Sequence, residues 1–197
     1  MISRAEQKEQ RREEILQVAL DQFIRRGYAA TKIKDIAEGV GMSVGLLFHY
    51  FKSKEALYIE LIKIGVSAPQ MMLEGFDQVE PLTLFDLCAE YIFKAASSSL
   101  FTAKMFVLMS NAYYSEGIPE EARAIAITID FYKNLVPIIQ QGQRDGTIRQ
   151  GNALALSTAF WTAIQGSVEA YALNPELPLP ETEWIIDIIR AKKENNL

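Results

Sequence analysis

Residues 31–54, TKIKDIAEGVGMSVGLLFHYFKSK, constrain the architecture more than any other stretch of the 197-residue chain. Thr31 is placed to cap a helix whose inward residues are Ile33, Ile36, Ala37 and Val40. Gly41 ends that helix, and Ser43 is placed to cap another that carries Val44, Leu47, Phe48 and Phe51. Two short helices joined by a tight glycine-containing turn make a helix-turn-helix, with the motif at about residues 32–51. Ser53 then caps a further helix through Ala56, Leu57, Leu61 and Ile64.

Nearly every other segment also reads as helix, so the expected class is all-α with about nine helices. Upstream, Ile15, Leu16, Ala19, Leu20 and Phe23 share one face of a helix that Gly27 ends. A domain boundary is drawn near residues 65–69, with room for the fourth helix to run on past it, giving an N-terminal domain at 9–69 and a second helical domain at 70–197. In the second domain the spacing predicts helices at 82–97, 100–115, 119–144 and 152–173, and a last one carrying Trp184, Ile185, Ile188 and Ile189. Pro137 should bend or divide the 119–144 helix, and Asn152 caps the next.

The balance of residues narrows the function classes. Net charge is −5, yet residues 1–60 hold ten Lys/Arg against nine Asp/Glu, and the remainder ten against sixteen. The basic residues therefore gather beside the motif. One cysteine, Cys88, sits in an apolar run and reads as a buried structural thiol, and one histidine, His49, offers no metal cluster. No cofactor is expected. The N-terminus lacks the apolar core of a secretory signal. Residues 150–168 carry no charge, but Gln150, Asn152, Ser157, Thr158, Thr162, Gln165 and Ser167 are too polar for lipid, so a cytoplasmic chain is expected.

A helix-turn-helix presents its second helix to the DNA major groove while the first crosses the backbone. Residues 43–50 would enter, with Val44, Gly45 and Leu46 at the tip and Phe48, His49 and Tyr50 beyond. Apolar side chains at the tip can touch thymine methyls but form no bidentate hydrogen bonds. Phosphate contacts are expected from the Thr31 and Ser43 hydroxyls, helix N-terminal amides, Lys32, Lys52 and Lys54.

The run IAEGVGMSVGLLFHYFKSKEAL resembles the DNA-binding segment of the TetR family of bacterial transcriptional regulators. The matching elements are Thr31, Ile36-Ala37, Gly41, Ser43, Gly45, Leu47, His49-Tyr50-Phe51 and the tail from Lys52 to Leu57; RREEILQVALDQFIRRGYAAT at 11–31 resembles the family's first helix. The likeness spans roughly residues 9–69. It implies a three-helix DNA-binding domain tied to a helical domain that dimerises and binds a ligand. Leu46 and Phe48 depart from the family's common Thr and Tyr, whose hydroxyls reach phosphates.

Dimerisation is expected on 152–173, where Ala155, Ala159, Thr162, Gly166 and Ala170 form a stripe of small residues, together with Trp184, Ile185 and Ile188. A pocket for a small hydrophobic effector is expected among Met105, Met109, Asn111, Tyr113, Tyr132, Phe160 and Trp161. The expected function is a dimeric, ligand-responsive regulator, a repressor released from a palindromic operator by its inducer, without enzymatic activity. The alternative is a helical small-molecule-binding protein or enzyme without specific DNA binding. No nucleophile–base pair, metal cluster or phosphate loop in the sequence favours it.

Overall fold

The computed structural model describes residues 3–73 and 79–192. These residues are helical apart from turns and one isolated antiparallel bridge, Ile148 with Arg190. All nine expected helices are present, one of them divided into three, which gives eleven segments among the described residues. The chain divides into two compact units: Met1–Ala68 with Lys104–Thr128, and Pro69–Ala103 with Ile129–Leu197.

In the first unit, α1 (Arg4–Ala30) begins on a capping box. Ser3 Oγ accepts from the Glu6 amide and the Glu6 carboxylate accepts from the Ser3 amide, so two end groups are satisfied together. Its buried face is Ile15, Leu16, Ala19, Leu20 and Phe23. Gly27 (φ 76°) kinks the helix before its last turn. α2 (Ile33–Val40) buries Ile36 and Ala37 against it, and α3 (Val44–Phe48) buries Leu47. α4 (Lys54–Leu73) adds Leu57, Tyr58, Leu61 and Ile62. Each of these large side chains contributes about 1.5–3 kcal/mol on leaving water. An aromatic cluster joins α1 to α4, with Tyr58 packed edge-on to Phe23 (5.0 Å) and Tyr28 (4.9 Å). Burial there pushes the Tyr58 phenol up to about 12.

The expectation of a single cut near residues 65–69 meets a helix that runs on through both Gly65 and Pro69. From Lys104 onward, α6 (Leu100–Tyr114) clusters with the first unit, as does α7 (Glu120–Ala126). Lys104 pairs with Asp21 of α1 at 2.6 Å, and Lys63 of α4 faces Glu121 of α7 at 3.9 Å. Gly65 makes the α4–α6 crossing close: a Cβ there would lie 2.5 Å from the Met109 sulfur and 3.1 Å from Met105 Cε.

The second unit packs α5 (Pro81–Ser98), α8 (Phe131–Asn134), α9 (Val136–Arg144), α10 (Ala153–Leu173) and α11 (Thr182–Ile186). The 119–144 helix is thus replaced by α7, α8 and α9. Two causes are visible: Asp130 caps a new start by accepting from the Lys133 amide, and Pro137 occupies the first turn of α9, where it costs no hydrogen bond. α10 buries Ser157, Phe160, Ile164, Val168 and Ala172, and Phe160 meets Phe85 edge-on at 4.8 Å. Cys88 is buried in α5, which raises its thiol to about 11 and leaves it a poor nucleophile at neutral pH. No single helix among the described residues is long and apolar enough to cross a membrane.

Candidate nucleic-acid interface

The helix-turn-helix is built by local hydrogen bonds. Gly41 adopts the left-handed conformation (φ 70°, ψ 38°) that closes α2, and the Met42 amide donates back to Ala37 O at 2.9 Å. Ser43 Oγ accepts from the Leu46 amide at 3.2 Å and so starts α3. Ser53 does the same for α4 through the Ala56 amide at 3.0 Å. Arg26 of α1 pairs with Asp35 of α2 at 2.9 Å and fixes the first motif helix against its support.

On α3, about 100° separates successive residues. Leu47 points inward and is fully buried, and Phe51 follows it into the core. Gly45 and His49 therefore lie at the centre of the outer face, with Leu46 on one flank and Phe48 on the other. All four are exposed, Leu46 and Phe48 each by 44 %. Val44 and Tyr50 are half-buried at the edges. Among described residues 3–67, Leu46 and Phe48 are the only large hydrophobic side chains left in solvent.

Two expected phosphate contacts are corrected. Thr31 is only 1 % exposed, and its hydroxyl donates to Gly27 O (2.8 Å) and Gln22 O (3.1 Å). It secures the end of α1. The residue at the start of α2 is Lys32, which makes no side-chain cap bond. Lys54 is likewise committed: its ammonium donates to Tyr28 O (2.7 Å) and Thr31 O (2.9 Å) and sits 4.1 Å over the Tyr28 ring. A cation at these carbonyls also meets the negative end of the α1 dipole. Partial burial pulls the Lys54 ammonium below its ordinary value. Lys54 is thus a strut between α4 and the end of α1. Tyr28 is its partner, a residue that the motif pattern alone does not single out. Lys32 and Lys52 stay exposed beside α3, while Lys34 reaches Glu38 at 3.4 Å.

The expected ligand-binding residues fall in both units. Met105, Met109, Asn111 and Tyr113 lie on α6 in the first; Met105 is buried, whereas Asn111 and Tyr113 are exposed. Tyr132, Phe160 and Trp161 lie in the second, where Trp161 stacks flat on Phe131 at 4.1 Å and Ser157 Oγ donates to Tyr132 O. A cleft of about 360 Å³ in that unit is lined by other residues, among them Ile148, Arg149 and Lys192. Of the expected dimer residues, Ala155, Ala159, Thr162, Gly166 and Ala170 are all exposed, Trp184 is 66 % exposed and Ile188 half-buried. Ile185 is corrected: it packs inside the second unit at 6 % exposure, buried with Ile186 of α11 and with Ile189 just beyond the helix.

Residues 15–61, which hold all of this motif, match the family model for bacterial regulatory proteins, tetR family. Residues 15–61 form a tetR-type DNA-binding domain. Family members regulate transcription by binding DNA, and this chain is a DNA-binding transcriptional regulator. It is 28 % identical over 180 residues to the HTH-type transcriptional repressor KstR2 of Rhodococcus jostii (strain RHA1), covering 79 % of this chain and 78 % of that one. Its fold is that of a linker-substituted mutant of HlyIIR (TM-score 0.71, 21 % identity, 93 % and 99 % of the two chains covered). AibR, solved in complex with isovaleryl coenzyme A and operator DNA, shares the fold too (TM-score 0.66, 20 % identity, 90 % and 94 % covered).

Proposed function

We propose that this chain is a repressor that binds a palindromic operator as a homodimer and is released by a small hydrophobic effector. The observation that carries this reading is the outer face of α3: Gly45, Leu46, Phe48 and His49 stand in solvent on a helix anchored from behind by Leu47 and Phe51. A short helix held rigid with its outer face bare is what the major groove accepts. In this reading residues 9–69 are the reading head. Val44, Gly45, Leu46, Phe48, His49 and Tyr50 face the bases. Ser43, Lys32 and Lys52 face phosphates, and Thr31 and Lys54 hold the head's shape.

Residues 70–197 dimerise and bind the effector. One turn of a groove per half-site needs two heads, and the bare stripe of α10 with Trp184 offers an isologous surface for a second copy. The repressor assignment leans on the likeness to KstR2, and the effector on the bound ligand in AibR. The crossing of α4 and α6 at Gly65, Met105 and Met109 is the route by which an effector would move the head. As a regulator the chain works by binding, and catalysis has no part in this account.

Selection of binding duplexes from a random library with the full chain tests the reading. The expected product is an inverted repeat with half-sites about 10 base pairs apart, bound by two chains. Recovery of a single, non-repeated site bound by one chain would overturn the dimeric operator model.

A further inference from the structure

The outer face of α3 offers almost nothing that can hydrogen-bond a base. Its centre is Gly45, where an added Cβ would meet only Ser43 Oγ at 4.0 Å, so the backbone itself can approach the groove floor. Its flanks are Leu46 and Phe48, both large, apolar and exposed, and Val44 sits half-buried at the leading edge. Polar capacity is confined to His49 at the centre, the half-buried Tyr50 and, ahead of the helix, Ser43, whose Oγ already accepts from the Leu46 amide. Arg, Lys, Asn, Gln, Asp and Glu, which read bases by bidentate or charged bonds, are missing from residues 43–50.

In the major groove the apolar group that distinguishes one base from another is the C5-methyl of thymine. Two hydrophobic side chains set on either side of a glycine can gain only by covering such methyls; over guanine O6 and N7 or adenine N6 they would strip water and return no hydrogen bond. Resting on the DNA-binding reading above, we infer that Leu46 and Phe48 select the operator by packing on thymine methyl groups, with Gly45 admitting the helix deeply enough for both to reach. Specificity then comes from shape and methyl placement, and the lysines outside the face supply affinity common to all sequences.

The test uses a duplex selected by the full chain and resynthesised with deoxyuridine in place of each thymidine in turn, which removes only the methyl. Loss of one contacted methyl should weaken binding about fourfold, at one or more thymidines in each half-site. Leu46→Ala and Phe48→Ala, both changes at exposed positions, should each bind one uracil duplex and its thymine parent equally. Equal binding of the native chain to all uracil and thymine duplexes, with loss instead on 7-deazapurine substitution, would overturn the inference and leave DNA binding intact. Uracil sensitivity that persists undiminished in both variants would also overturn it, since other groups would then hold the methyls. Failure of the chain to select any duplex would remove the DNA-binding reading and this inference with it.

Discussion

Two faces of this chain are bare and uncharged, and they are built in opposite ways. On α3, two large side chains flank a glycine; on α10, Ala155, Ala159, Thr162, Gly166 and Ala170 leave a nearly smooth strip. A protruding, notched face suits a grooved partner with isolated apolar features. A smooth strip suits a helix of the same shape, which can come close only where side chains are small. Gly166 shows the contrast well: a Cβ there would meet nothing within the chain, so its own fold does not require a glycine at this position. The lesson is that exposure marks both faces, while side-chain size separates the partners they fit.

The largest effect is expected at the α10 strip. Ala159→Arg would bring like charges together across a two-fold interface, at a cost of several kcal/mol, so the dimer constant should weaken more than about a hundredfold. Sedimentation should show monomer, and operator binding should fall with it. A variant that stays dimeric would move the interface elsewhere.

Next come the residues behind the α3 face. Thr31→Val removes a buried hydroxyl that serves Gly27 O and Gln22 O, and should cost about 1–3 kcal/mol in denaturant unfolding. Lys54→Met should cost a similar amount, because two carbonyls lose their donor. Neither should change the salt dependence of DNA binding. Lys52→Ala should do the reverse, keeping stability within about 0.5 kcal/mol while lowering the salt slope by about one. A drop of one in the slope for Lys54→Met would return that residue to the phosphates.

A further effect, confined to alkaline pH, concerns the aromatic cluster inside the head. The Tyr58 phenol is raised to about 12 in the folded chain, above the usual 10, so its neutral form is the one that folding favours. The stabilisation is complete below pH 10 and is lost as pH rises towards 12. Tyr58→Phe should flatten the alkaline limb of stability, followed by thermal melts between those limits. An unchanged alkaline limb would place the titrating groups elsewhere.

Much of the head was legible because its signals are local. Gly41, Ser43 and Ser53 do what their residue types and spacing imply, and so does Asn152, whose side chain accepts from the Ala155 amide. Thr31 and Lys54 point away from the phosphates for different reasons. The Lys54 partners lie 26 and 23 residues back, beyond the reach of local patterns, whereas the Thr31 hydroxyl turns back four residues to Gly27 O, a local bond that the capping pattern overrode. The division of 119–144 had a visible signal in Asp130, three residues before the amide it caps, which apolar periodicity overrode. The short α11 had none. It ends because the Arg149 amide donates to Ile189 O and the Ala191 amide to Thr147 O, a pairing set by the tertiary fold.

We propose that the α3 face reads duplex DNA. Titrating the full chain against its selected duplex at several salt concentrations tests it most directly. The account predicts a straight fall of log K with log[salt], about 0.9 for each phosphate neutralised, together with a large excess over a scrambled duplex. A flat salt response, or equal affinity for the scrambled duplex, would contradict it.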